Sequence, residues 1–78
     1  MQTQDQEIIA NAIRYYIQQR PNSTDTAEGI TQFWINWPGE PLPMSVVLPV
    51  LENMRTAGEL ESVVVGGRTI WRAARSDD

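Results

Sequence analysis

The chain has 78 residues, no cysteine and a formal net charge of −4 at pH 7, with a sequence pI near 4.6. This length predicts one domain, residues 1–78, with an ordered core at about residues 4–74, and the lack of cysteine excludes disulfide stabilisation. Histidine, cysteine and lysine are all absent, so the commonest general bases, thiol nucleophiles and Schiff-base amines are missing. We therefore expect no enzyme activity, no small-molecule substrate, no metal and no cofactor.

The N-terminal quarter of the chain predicts an amphipathic helix. Thr3, Gln4, Asp5 and Gln6 have the form of a capping box. Apolar residues then recur at helical spacing, at Ile8, Ile9, Ala12, Ile13, Tyr16 and Ile17. Pro21 is expected to end this helix, because proline restricts the residue before it. The N-terminus is too polar for a signal peptide and no apolar run approaches membrane-spanning length, so we expect a cytoplasmic protein without membrane contact.

A second helix is predicted after residues 24–26, which offer several N-caps, with Asp25 and Glu28 as a capping pair. Its apolar stripe is formed by Ile30, Phe33, Trp34 and Trp37. Gly29 within this helix costs about 1 kcal/mol relative to alanine. We therefore expect that the small residue allows the first or third helix to approach closely.

Three prolines alternate through the link at residues 37–43, which predicts a stiff, extended connection. In the favoured interpretation, Leu42 and the prolines cover the indoles of Trp34 and Trp37. In the alternative, the link is an exposed recognition loop.

A third helix is predicted from Ser45, whose hydroxyl is suited to cap it, with Pro49 at the end of its first turn. The buried side of this helix is marked by Val47, Leu51 and Met54. Gly58 can take the left-handed conformation that ends a helix, and Leu60 can then pack back on the last turn.

A β-hairpin is predicted at once after this helix, with strands at 62–65 and 68–72 joined by Gly66 and Gly67. A two-residue turn imposes the pairs Val65 with Arg68, Val64 with Thr69, Val63 with Ile70 and Ser62 with Trp71. Both faces of such a hairpin are partly apolar, so the sequence leaves open which face is buried. An apolar outer face would suit a homodimer or another protein partner. Residues 75–78 are expected to fray.

A helix that closes on glycine and leads into a short hairpin resembles the third helix and wing of a winged helix-turn-helix domain. The resemblance is carried by residues 45–48, Leu51, Met54, residues 57–60 and residues 67–72. With the two upstream helices it covers roughly residues 5 to 74. It implies an α+β fold, a three-helix bundle followed by a C-terminal two-stranded hairpin. The link before the third helix is longer than the turn of roughly three or four residues usual in helix-turn-helix motifs.

The resemblance also implies binding to double-stranded DNA through the third helix and the wing. The helix positions that would face DNA are Ser45, Val46, Pro49, Glu52 and Asn53. The candidate DNA-binding residues are Ser45, Asn53, Arg55, Arg68 and Arg72. Arg68 would lie at the wing tip, where an arginine can enter a narrow minor groove, while Arg55 and Arg72 could reach phosphates. For Arg72, a cross-strand pair with Glu61 is the favoured alternative.

The charge distribution allows DNA binding by the C-terminal half of the chain, whereas the composition of the third helix argues against it. Residues 1–40 carry a net charge of −3, whereas residues 41–76 carry +1, so only the C-terminal half is suited to meet an anion. In the third helix, Val46 and Pro49 cannot donate hydrogen bonds to bases, and Glu52 would repel phosphates.

These observations predict a small DNA-binding transcriptional regulator, strengthened by dimerisation. The alternative is a winged-helix protein–protein interaction module without DNA binding, which would use Trp37, Leu42, Val46 and Pro49.

Overall fold

The computed structural model describes residues 4–74, which form three helices and one three-stranded antiparallel sheet. The elements in chain order are α1 at Gln4–Gln19, β1 at Thr24–Asp25, α2 at residues 27–34, α3 at Met44–Thr56, β2 at Leu60–Val65 and β3 at Arg68–Ala73. The fold class is α+β, as predicted. The predicted two-stranded hairpin is corrected, because β1 joins it and gives the strand order β1-β3-β2.

Helix α1 follows its predicted span and buries Ile9, Ala10 and Ile13. It ends where Arg20 donates its backbone N–H to the Tyr16 carbonyl at 2.8 Å, just before the proline. Thr3, on which the predicted capping box depends, and the predicted frayed tail at residues 75–78 lie outside the described residues.

The segment predicted to cap α2 is instead mostly a strand. Thr24 pairs with Arg72 and Asp25 with Trp71, which makes β1 an outer strand against β3. The cap is Thr26, whose Oγ1 accepts a hydrogen bond from the Gly29 N–H at 3.2 Å. The predicted capping pair of Asp25 and Glu28 is therefore wrong.

Helix α2 begins as one α-helical turn at Ala27–Gly29 and continues as a π-helix at Ile30–Trp34. A π-helical turn is wider than an α-helical one, so residues four and five positions apart share a face. Ile30 and Trp34 are accordingly buried, and Ile35, which follows the helix in an extended conformation, is buried as well. Phe33, predicted on the same stripe, is rotated out and is 72 % exposed.

Gly29 makes room for a carboxylate. A Cβ built there would lie well under 3.0 Å from the Asp25 side chain, and no atom of α1 or α3 is among the closest neighbours of that Cβ. The nearest neighbour at this glycine is therefore Asp25, where the sequence predicted a neighbouring helix.

The link between α2 and α3 is anchored through its apolar side chains. The Trp37 indole N–H donates to the Thr31 carbonyl at 2.8 Å, and Trp37 and Leu42 pack half-buried against the core. The three prolines of the link are exposed. Trp34 is covered by Tyr16, whose ring stacks on it at 4.7 Å between centroids.

Helix α3 starts earlier than predicted. Pro43, in an extended conformation, is the N-cap residue, and its carbonyl accepts backbone N–H groups from Val46 at 2.9 Å and Val47 at 3.3 Å. Ser45 is therefore a first-turn residue rather than the predicted cap. Pro49 lies inside the helix rather than at the end of its first turn.

The end of α3 follows the prediction. Gly58 has a φ of 82°, its N–H bonds to the Arg55 carbonyl at 3.0 Å, and the Glu59 N–H bonds to the Met54 carbonyl at 2.8 Å. This pair of bonds satisfies two carbonyls that the last helical turn leaves without partners. The chain is thereby redirected into β2, and Leu60 enters the core.

The hairpin has the predicted turn and register. Gly66 and Gly67 have φ values of 58° and 79°, as a type I′ turn requires, and Val65 pairs with Arg68. Leu60 and Trp71, on the same face, are each only 2 % exposed, so this face lies on the core. Among residues 4–74, no helix combines the length and apolarity needed to cross a membrane.

Candidate functional site

An open groove of about 900 Å³ lies between the start of α2, the side of α3 and the strand β3. Helix α3 contributes Met44, Leu48, Glu52 and Arg55. These residues are spaced by four, four and three positions, which places them in one row along the helix. The row lies beside the buried stripe of α3, so its apolar members are only partly covered, and Leu48 remains 40 % exposed.

The opposite wall of the groove is formed by β3. Val65 and Arg68 flank a two-residue turn and therefore exchange both of their backbone hydrogen bonds. Because bonding alternates along a strand, the N–H and C=O of Thr69 point away from β2, toward the side where β1 lies. However, β1 reaches only Trp71 and Arg72, and the chain then turns into α2. The backbone edge at Thr69 therefore borders the groove, and β1 does not pair with it.

Arg55, predicted to reach phosphates, is held by its own chain. Its guanidinium forms an ion pair with Glu52, donates to Ser62 Oγ at 3.0 Å, and lies 5.6 Å from the centroid of the Trp71 ring. These contacts tie α3 to the inner face of the hairpin. A phosphate would have to compete with the carboxylate of Glu52 for this guanidinium.

The two arginines of β3 differ. Arg72 forms the cross-strand ion pair with Glu61 that the hairpin register predicted. Arg68 lies exposed at the tip, lines the groove, and has no carboxylate partner within the part of the chain that the structure describes. Glu28, on the α2 wall, likewise has no ion pair among residues 4–74. One unpaired charge of each sign therefore borders the groove.

The remaining candidate residues lie outside the groove. Ser45 and Asn53 are exposed on α3, each one position further round the helix than the row that lines it. Of the residues proposed for protein contact, Trp37, Leu42 and Val46 pack half-buried against the core, and Pro49 is exposed. Three of the four residues predicted for protein contact therefore pack against the core and stabilise the fold.

A third ion pair links α1 to the residue before β2. Arg14 on α1 meets Glu59, next to β2, through two parallel bonds, Nε to Oε1 at 2.5 Å and Nη2 to Oε2 at 2.9 Å. Hydrogen bonding from Arg14 lowers the pKa of Glu59 below its ordinary value. The same contact raises the pKa of Arg14.

Residues that were not predicted from the sequence to bind a partner form much of the groove, namely Glu28, Met44, Leu48 and Thr69. Within residues 4–74 no three acidic, histidine or cysteine side chains come close enough to hold a metal ion.

The chain matches no protein-family model, and no curated protein or solved structure is significantly similar to it.

Proposed function

We propose that this chain is a winged-helix protein-interaction module that binds an extended segment of a partner protein in the groove between α3 and β3. The observation that carries the proposal is the backbone edge at Thr69, which pairs with no strand of residues 4–74 on the side of β1 and lines the groove together with Met44 and the 40 % exposed Leu48. The direct succession of α3, the glycine cap and the hairpin supports the winged-helix arrangement.

The proposed mode of binding is strand addition. A partner segment would continue the line of β1 along β3 and exchange backbone hydrogen bonds with Thr69, which supplies affinity without sequence preference. An apolar side chain of the segment would rest on Leu48. Specificity would come from a basic residue that meets Glu28 and an acidic residue that meets Arg68.

Charge favours a protein partner over DNA. Arg55 and Arg72 are already paired with carboxylates, and Glu28 and Glu52 line the groove. Affinity for DNA depends on the number of phosphates that a protein neutralises, and the whole chain carries −4. A single unpaired arginine beside two carboxylates would release few counterions.

DNA binding is the second candidate, because one observation favours it. Arg68 is exposed at the hairpin tip and lines the same groove as α3, so both elements could meet one duplex. In this alternative Arg68 enters the minor groove, and Ser45 and Asn53 approach base edges.

Selection of random peptides against the protein, followed by calorimetric titration, tests the proposal. We expect selected peptides to bind with a dissociation constant on the order of 10 µM, typical of a small interface. Leu48→Glu should abolish this binding, whereas Ser45→Glu should preserve it, since both add one charge to α3 but only Leu48 lines the groove.

A parallel titration with random duplex DNA separates the two candidates. Micromolar DNA binding that weakens steeply with salt and is lost in Arg68→Ala, together with a failure to select peptides, would replace the first proposal by the second.

A further inference from the structure

We propose that β2 is a homodimerisation strand, which pairs antiparallel with β2 of a second copy and joins the two sheets into one of six strands. The order β1-β3-β2 leaves β2 at the edge of the sheet. One side of β2 pairs with β3 along all six residues, and its other side pairs with no strand among residues 4–74. This edge lies on the opposite side of β3 from the groove, so dimerisation is argued from a different edge of the sheet than the proposed function.

The chemistry of this edge favours pairing. Exposed strand edges are usually blunted by proline, lysine, a bulge or a very short strand. Strand β2 has neither proline nor lysine, and its register against β3 is unbroken over Leu60–Val65. Residues 62–65 carry no charge, and Val64 and Val65 are 74 % and 61 % exposed. The three successive β-branched residues Val63, Val64 and Val65 suit the pleated, half-buried surface of a strand with neighbours on both sides.

The backbone of β2 is complementary to itself. Val63 and Val65 direct their hydrogen bonds to β3, so the N–H and C=O groups of Ser62 and Val64 point to the open side. A two-fold axis at Val63 would place Ser62 opposite Val64 of the second copy, and Val64 opposite Ser62. All four residues could then exchange backbone hydrogen bonds, and the two Val63 side chains would meet on the outer face.

The same register is complementary in charge. It places Glu61 opposite Val65 of the second copy, whose cross-strand neighbour is Arg68. Glu61 already pairs with Arg72 of its own chain, so Arg68 would join an existing ion pair as a second cation. Strands lie about 4.8 Å apart, so this glutamate and this arginine would be separated by about two strand spacings, a gap that two long side chains can bridge. Arg68 has no carboxylate partner within residues 4–74, and two-fold symmetry would make the contact twice.

Analytical ultracentrifugation over protein concentrations up to about 500 µM tests the inference. Pairing of edges alone buries less surface than a standard interface, so we expect a dimer with a dissociation constant on the order of 1–100 µM. Val63→Lys places two like charges opposite each other at the axis and should weaken dimerisation by roughly tenfold or more. Circular dichroism of each variant verifies that the fold is retained.

Mixing two variants makes the experiment specific for the register. Val63→Lys and Val63→Glu should each dimerise more weakly alone than the wild type, and the mixture should form a tighter dimer than either variant alone, because the axis then pairs opposite charges. Ser45→Lys, at an exposed position of α3 away from β2, adds the same charge and is the matched control, which should leave dimerisation unchanged. A wild-type protein that stays monomeric at about 500 µM, or a dimer that Val63→Lys does not weaken, overturns the inference.

Discussion

Replacement of Gly29 by alanine should destabilise the protein, although alanine is the better helix former. Gly29 has ordinary helical angles, φ −63° and ψ −40°, so its backbone does not require glycine. The obstacle is the Asp25 carboxylate, which occupies the space that a Cβ would need. Because this carboxylate ends a short side chain anchored in β1, it must turn away and give up its present contacts.

The expected size of the effect follows from two opposed contributions. Alanine in a helix interior gains about 1 kcal/mol over glycine. Displacement of Asp25 breaks the hydrogen bond that its Oδ1 accepts from the Thr26 N–H at 2.8 Å. A hydrogen bond to a charged group contributes about 1.5–3 kcal/mol, and we take about 2 kcal/mol because this one is only partly buried. The net loss is about 1 kcal/mol, which lowers the midpoint of thermal unfolding by about 4–8 °C in a domain of this size.

Urea unfolding followed by tryptophan fluorescence measures this loss, because Trp34 and Trp71 are buried. The control is the same substitution in an Asp25→Ala background, where no carboxylate is in the way. There Gly29→Ala should stabilise the protein by about 0.5–1 kcal/mol, and the change of sign gives the coupling between the two residues. Stabilisation by Gly29→Ala in the wild-type background would refute the reasoning.

Two further outcomes concern the core and the ion pair between Arg14 and Glu59. Leu51 is fully buried in α3, so Leu51→Ala should lower the free energy of unfolding by about 2–5 kcal/mol. Leu48→Ala, in the groove, should change it by less than about 1 kcal/mol. Chemical denaturation measures both changes. Because the folded-state pKa of Glu59 is below its ordinary 4.5, the contribution of its pair with Arg14 is present above that pH and lost as the pH falls through the folded-state value. With both side chains about a third exposed, we expect about 0.5–1 kcal/mol, and Glu59→Gln should remove this pH dependence from unfolding curves recorded between pH 6 and pH 3.

The predictions for the C-terminal half succeeded where a local signal determines the backbone. Gly58 adopts positive φ at the end of α3, and Gly66 and Gly67 do so in the turn, because glycine takes this conformation at little cost. Once the turn has two residues, every pair of the hairpin follows. The ion pair between Glu61 and Arg72 could therefore be named from the sequence alone.

The errors arose where distant contacts override local preference. Thr24 and Asp25 are residue types that favour helix caps, and a strand of two residues has no periodicity to reveal it. Only the presence of β3 beside them makes them a strand. Likewise, the position of Phe33 was inferred from the α-helical repeat, and the wider π-helical turn changes the phase of the stripe.

The groove escaped prediction because it needs three elements to enclose it. One signal was present in the sequence. After Val47, Leu51 and Met54 are assigned to the buried side of α3, the apolar residues Val46, Leu48 and Val50 remain unassigned, and of these Leu48 lies exposed in the groove. Its row with Met44 and Glu52, at spacings of four, marks a second side of the helix. The wall that faces this row depends on β1 stopping short of Thr69 and could not be inferred.

The two edges of the sheet connect the two proposals through Arg68. In the monomer this guanidinium lines the groove, as does the carboxylate of Glu28. In the proposed dimer it turns across β2 toward Glu61 of the second copy, which leaves Glu28 as the unpaired charge of the groove. A basic partner segment would then bind the dimer more tightly than the monomer, and by linkage such a segment would strengthen dimerisation to the same extent. DNA has the opposite requirement, because it needs Arg68 at the groove and is repelled by Glu28. The position of the Arg68 side chain therefore distinguishes a dimeric protein-binding module from a DNA-binding one.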